Sequence, residues 1–407
     1  MCPAEQLSVL FVCQHDFDGP TEKQALGFAQ QLVRRGHRVA FSLGGNGSSS
    51  DACGVAELGR MSLFEHRLEG RVPRESDIRA ARSFNPDIIH CMNPRAPTVA
   101  VARTYTTATG APLLVHFEDD DWRFGARLAG EPLKTHIGHA ARRVISPWRP
   151  ELWPHASSST LRWLGRSARL LDALTPALAA EVALRSRRAC AVLLPVTPQL
   201  TGDAIAAPTL PPALDGKPIA LFTGTLYPVY RSDVELGLRA VAEVQRRGHE
   251  LVYAHAGRVH ERIDPVQLAR AAGLKDGTGL FLGLLPYAAI PPLLERASVL
   301  LQPGAPTEFN RLRLPAKIQA YLASGTPTIT FAVGFGELLE DRREVLKTYT
   351  AEPGELAHRI VEVLEDAQLR ATLAAGGRAA ARRLFDPVAN TEKLEEHYRA
   401  ALSDRRR

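Results

Sequence analysis

The chain has 407 residues, 45% of them apolar and 23% charged. That is globular composition, too long for one ordinary core and suited to two domains of roughly 150–200 residues. The net charge of +6 is spread thinly, with no dense Lys/Arg run among aromatics. It argues against a nucleic-acid partner and suits anionic small molecules or a membrane surface.

Leu7–Val12 reads as a buried strand, and the Gly19-Pro20 turn leads into a helix over Thr21–Arg35 that stops at Gly36. The next strand is Arg38–Leu43, followed by a Gly/Ser/Asn loop. Further strands are expected at Asp87–Cys91, Leu113–Val115 and Ala191–Pro195, with a helix from about Thr98. Continuous apolar strands alternating with helices are the mark of a parallel sheet covered on both faces. From 201 to 217 the chain is small and Pro-rich, as a linker would be. A second series follows, with strands at Ile219–Thr223, Leu251–Ala256, Leu280–Gly283, Ser298–Gln302 and Thr328–Phe331. Its helices are expected at Val234–Arg247, near Ile290–Arg296 and at Pro315–Ala323. The tail Gly354–Leu402 reads as helical, broken at Gly376-Gly377 and at Pro387.

The expected domains are therefore 1–200 and 218–385, both doubly wound, with a helix over 386–407 packing back on the first. Ligands of such sheets bind beyond the carboxyl ends of the strands. Two facing sheets would place that crevice between the domains, whereas two unrelated Rossmann-like domains would carry separate sites.

The five cysteines are scattered without a C-x-x-C pair, so neither zinc nor a disulfide framework is indicated, and Cys13 and Cys91 read as buried. The run Leu7–Cys13 is too short for a signal peptide and lacks a basic flank. No stretch reaches the ~20 apolar residues that span a bilayer. The expectation is a cytoplasmic protein.

Several local patterns converge on one family. Gly19-Pro-Thr-Glu-Lys is followed by a helix ending Arg35-Gly36-His37-Arg38-Val39, and Pro86-Asp87-Ile-Ile-His90 opens a strand. The second half carries Phe222-Thr223-Gly224-Thr225-Leu226, Phe281-Leu-Gly283 and Gln302-Pro303-Gly304. Pro315-Ala-Lys317 with Tyr321-Leu-Ala-Ser-Gly325-Thr-Pro327 is the most specific of them. In this order and spacing the sequence resembles the retaining glycosyltransferases of family 4. The resemblance implies the GT-B fold, two facing Rossmann-like domains with an interdomain cleft. It also implies transfer of a sugar from a nucleoside diphosphate-sugar to an acceptor hydroxyl, with retention and without metal or cofactor.

A pyrophosphate needs fixed cations or free backbone N–H groups where negative charge develops. The sequence offers Arg231, Arg313 and Lys317, with Arg313 and Lys317 four apart and able to share a helix face. Gly19 and Gly224 would let backbone approach the phosphates, and Thr225 follows in the same loop. Where the family places its ribose-holding Glu this chain has Ala320, and an earlier Glu common in the family is replaced by Leu312, with Glu308 the nearest substitute. These departures favour, as the alternative, a non-catalytic sugar-nucleotide or partner-binding protein.

In the first half, His116-Phe117-Glu118-Asp119-Asp120-Asp121-Trp122 follows a strand. By resemblance His116 is a sugar-contacting histidine. Asp119 and Asp120 are candidates for catalysis, and Glu118 and Trp122 for acceptor binding; the other reading is a solvated acidic loop with Asp capping a helix. Trp148, Trp153 and Trp163 among arginines suit an acceptor platform, a membrane-surface contact or buried anchoring. His136 and His139 read as a surface pair. The acceptor, whether small molecule, lipid-linked or glycan, is left open.

Overall fold

The computed structural model describes residues 6–17, 19–44, 55–69, 72–120, 158–199, 212–286 and 289–403. They form two units, Met1–Gly202 with Phe385–Arg407, and Asp203–Leu384.

The first unit is built on β1 (Ser8–Cys13), β2 (Arg38–Gly44), β3 (Ser62–His66), a small antiparallel pair β4 (Leu68–Glu69) and β5 (Val72–Pro73), β6 (Ile88–Met92), β7 (Leu113–Phe117), β8 (Leu170–Ala173) and β9 (Cys190–Val192). Seven of them make one parallel sheet in the order β3-β2-β1-β6-β7-β8-β9. β1, β6 and β7 are buried along their whole length, which is why they read as continuous apolar runs rather than alternating ones. One face carries Phe11 and Phe41, stacked at 5.2 Å, with Phe17 edge-on to Phe41. The helix Pro20–Arg34 packs on that face.

The C-terminal helix, Pro387–Ser403, covers the same face. Leu394, Tyr398 and Ala401 enter the first unit's core. Its buried Glu395 accepts bonds from Arg35 (2.5 Å) and Arg399 (2.7 Å) and meets His37 Nε2 at 3.1 Å. Such a carboxylate is tolerable inside only because several donors converge on it.

The second unit has β10 (Ile219–Thr223), β11 (Val252–Ala256), β12 (Gly279–Phe281), β13 (Val299–Gln302), β14 (Thr328–Phe331) and β15 (Leu346–Thr348), all parallel, in the order β12-β11-β10-β13-β14-β15. In each sheet the order reverses beside the first strand of its unit, between β1 and β6 and between β10 and β13. Ligands of doubly wound sheets bind at the carboxyl ends of strands flanking such a reversal.

Several expectations need correction. Gly376 and Gly377 lie inside one helix, Ala367–Leu384. A Cβ at Gly376 would sit 1.9 Å from Arg343 O, so this glycine permits a close approach rather than ending a helix. The donor-side helix is Ile318–Ser324, with Lys317 preceding it. Arg313 closes a separate short helix, Glu308–Leu312, so the two cations do not share a helix face. β3, β8 and β15 were not expected. β8 hides because Asp172 interrupts a four-residue run, and β15 because it is three residues long with Lys347 at its centre. Of the expected linker, 201–211 lies outside the described residues. Among the described residues no helix is long and apolar enough to cross a membrane.

Candidate functional site

In the second unit the end of β10 runs into Gly224, whose φ of 123° is open to glycine and strained for other residues. At the end of the neighbouring strand, Gly257 has φ 153°, and a Cβ there would lie 2.1 Å from Gly224 O. The two strand ends therefore touch backbone to backbone. His255 on β11 donates from Nε2 to Gly224 O at 2.7 Å. Burial holds that imidazole below its usual range, with Lys317 adding to the effect.

Lys317 reaches over this turn. Its Nζ lies 3.4 Å from the centre of the Phe222 ring and would be 3.2 Å from a Cβ on Gly224. The helix behind it is pinned because Thr223 N–H donates to the buried Tyr321 hydroxyl at 2.7 Å. Among the described residues, the Lys317 ammonium has neither a salt bridge nor a hydrogen bond. Burial depresses it well below the usual lysine range, Arg313 repels it, and Asp233 partly offsets both.

Arg313 is buried and donates to Asp233 Oδ2 at 2.8 Å. Its guanidinium lies 4.4 Å from the Phe309 ring centre, 5.2 Å from Tyr230 and 5.7 Å from Phe331. Among the described residues its Nε has no hydrogen-bond partner. Two cations thus lie near one carboxylate, Asp233, which bonds only Arg313 among the described residues.

The other expected donor residues are placed differently. Arg231 is exposed and bonds Glu235 one helical turn on, at 2.8 Å. Glu308 is exposed and pairs with Arg311 at 2.5 and 2.8 Å. Both are engaged along their own helices, so neither joins the Lys317 group. Thr225 is half-buried in the loop after Gly224, and Ala320 is exposed.

In the first unit Gly19 caps the helix Pro20–Arg34. A Cβ at Gly19 would lie 2.0 Å from Oε2 of the buried Glu22, whose Oε1 accepts His15 N–H at 3.0 Å. Thr21 donates to Glu118 at 2.5 Å, joining this loop to the end of β7. Burial pushes the Glu118 carboxyl up to about 7; His116 and Thr21 pull it down, and Asp119 and Glu22 raise it. Among the described residues Oε1 of Glu118 and Oε2 of Glu22 have no hydrogen-bond partner. Asp119 is half-buried and Asp120 buried, so the acidic run is not a freely solvated loop here. Asp121, Trp122, Trp148, Trp153, His136 and His139 lie outside the described residues. Trp163 stacks under Arg103 at 5.5 Å.

His116 is wholly buried. Its Nδ1 is bonded to Asp172 on β8. Burial alone would lower the imidazole, but the Asp172 charge and hydrogen bond outweigh it and raise it. Burial would likewise raise Asp172, yet His116 and His397 hold it low. His90, on β6, meets the Tyr398 hydroxyl at 2.9 Å. His90, His116 and Asp172 each offer an atom within 4.8 Å of the others. His116 and Asp172 bond each other and Tyr398 meets His90 Nδ1, while His90 Nε2, His116 Nε2 and Asp172 Oδ2 have no hydrogen-bond partner among the described residues. Sequence reading missed Asp172, His397, Asp233 and Phe222. Phe222 alone left a signal, as the first residue of the Phe222-Thr223-Gly224-Thr225-Leu226 strand-loop, which did not single out its ring.

Residues 217–366, all within the second unit, match the family Glycosyl transferases group 1. The matched stretch contains the Lys317, Arg313 and Gly224 cluster described above. Over 162 residues the chain is 26% identical to the alpha-D-kanosaminyltransferase of Streptomyces kanamyceticus, a stretch that spans 40% of this chain and 40% of that relative. Over nearly its whole length, the chain is similar to the crystal structure of Anabaena HepE in complex with UDP and glucose. There the TM-score is 0.67 at 18% identity, covering 96% of this chain and 99% of that one. Sucrose-phosphate synthase from Thermosynechococcus elongatus gives 0.66 at 16% identity, covering 98% and 100%. WaaG, a glycosyltransferase of lipopolysaccharide biosynthesis, gives 0.59 at 16%, covering 95% and 98%. At these identities the likeness establishes the two-domain GT-B fold.

Proposed function

We propose that the protein is a glycosyltransferase that binds a nucleoside diphosphate-sugar on its second unit and an acceptor on its first. The observation that carries this reading is the unpaired Lys317 ammonium above Phe222, beside the backbone turn at Gly224. A diphosphate there would restore the charge that burial suppresses on Lys317, and would accept from the unpartnered Nε of Arg313. At an effective dielectric near 20, one such contact at 4 Å is worth about 4 kcal/mol before desolvation. Fixed cations of this kind stabilise a departing phosphate without a metal. The HepE complex with UDP and glucose supports uridine as the base. Retention of anomeric configuration is carried by the resemblance to family 4, with the leaving phosphate helping to deprotonate the acceptor.

Thermal-shift measurements with UDP, GDP, dTDP and ADP test the donor side, because a ligand bound only by the folded chain raises its melting temperature. UDP is expected to give the largest shift, and Lys317→Ala to abolish it. No shift with any of the four would sink the reading. A second reading, a sugar-nucleotide binder without turnover, is favoured by Ala320 at the position of the ribose acid and by Glu308 being held by Arg311. Strong UDP-glucose binding with no UDP release, across all acceptors tried, would select it.

A further inference from the structure

Asp172 is wholly buried on β8, directly opposite His116 in the β7–β8 register. Its Oδ1 holds His116 Nδ1, and its Oδ2 lies 3.7 Å from Nδ1 of His397 on the C-terminal helix. His116 therefore has one ring nitrogen held, while Nε2 is buried with no hydrogen-bond partner among the described residues. Leaving a buried polar group unsatisfied costs roughly 1–3 kcal/mol, and in a native structure it calls for an explanation. His116 is one residue from the end of β7, and Glu118 follows two residues later on the strand side where ligands of such sheets enter.

We propose that Asp172 is a positioning residue for sugar transfer: its carboxylate sets the tautomer and plane of the His116 ring and so presents Nε2 to a hydroxyl of the bound substrate. This rests on the glycosyltransferase reading. A purely structural tie between strands is a poor account of the pair, because apolar side chains of similar volume stabilise a core as well or better. The register also matters. His116 and Asp172 lie on the sheet face covered by the helices Pro20–Arg34 and Pro387–Ser403, with His90, Tyr398 and His397 around them. Glu118 lies above, with Glu22 and Cys13 beyond it. None of these satisfies His116 Nε2; the nitrogen is closed off from solvent, so a substrate hydroxyl has to reach it from the end of β7. Because His397 comes from the chain's last helix, that helix becomes part of the acceptor-side machinery.

The test uses the full chain with UDP-glucose as donor and water as acceptor, reading UDP release. Asp172→Asn keeps the shape and removes the charge. Its kcat is expected to fall about 10- to 1000-fold, with the KM for UDP-glucose nearly unchanged. The limb of the pH profile that reports His116 should move to lower pH, since loss of the carboxylate lowers the imidazole's pKa. His116→Gln should show a similar loss, and adding Asp172→Asn to it should cost nothing more, because one residue acts through the other. An Asp172→Asn protein with wild-type kcat and pH profile but a lower melting temperature would overturn the proposal. So would fully additive losses, or, should Asp172→Asn not fold, a His116→Gln protein with wild-type turnover. Wild-type chain that neither binds UDP nor releases it would instead sink the glycosyltransferase reading, and this proposal with it.

Discussion

The Lys317 ammonium lies 3.4 Å from the centre of the Phe222 ring, and among the described residues no carboxylate bonds it. Phe222 is the fourth residue of β10 and Lys317 precedes the helix Ile318–Ser324, so the pair joins a strand end to a helix start. A cation held over an aromatic face gains about 0.5–2 kcal/mol, enough to fix its position but not to satisfy its hydrogen-bond donors.

Lys317→Ala is expected to lower turnover of UDP-glucose by roughly one to three orders of magnitude, the scale of losing one preorganised charge partner. Far-ultraviolet circular dichroism should be unchanged, since the Tyr321–Thr223 bond still pins the helix. Turnover equal to that of the wild type removes Lys317 from the mechanism.

Asp233→Ala leaves the buried Arg313 guanidinium without its partner. Breaking a buried pair from one side costs about 3–5 kcal/mol. Urea unfolding should show that loss as a lower midpoint with an unchanged slope, while Arg231→Ala, which frees only an exposed pair with Glu235, should stay within about 0.5 kcal/mol.

Gly257→Ala would drive a methyl group to 2.1 Å from Gly224 O and require a residue other than glycine at φ 153°. The backbone strain alone is of order 1–3 kcal/mol, and relieving the clash must also displace the Gly224 turn. Both stability and UDP affinity should fall together. Gly59→Ala, where nothing lies within 4 Å, is the control.

Glu118 keeps its proton up to about 7 in the folded chain, against an ordinary value of 4.5. Between those values the folded chain holds a proton that the unfolded chain has released, so this group's contribution to stability declines as pH rises and is level above about 7. The decline amounts to roughly 3 kcal/mol at most. Glu118→Gln should flatten it, and denaturant midpoints measured between about pH 5 and about pH 8 would reveal an unchanged slope if the assignment were wrong.

Much of the architecture is legible in the residues. Strands such as Ser8–Cys13 and Ile219–Thr223 are buried on both faces, so their apolar runs are unbroken and easily found. Ser62–His66 and Leu346–Thr348 escape because they are half-exposed or very short. The site is less legible. Lys317 and Arg313 stand out as cations near a Gly-Pro-punctuated helix, but nothing in their spacing distinguishes them from Arg231, which bonds its own helix. Asp172 reads as a flaw in a strand until its register with His116 is known.

Local pattern thus determined the two parallel-sheet series and the residue types able to meet a phosphate, because period and turn chemistry are properties of neighbouring residues. Partnership was decided only by the tertiary structure. Whether a charge is free, like Lys317, or consumed, like Glu308, depends on groups brought together by strand register and helix packing. Lys317 lies near Gly224, some ninety residues away along the chain, and Asp172 near His397, more than two hundred away.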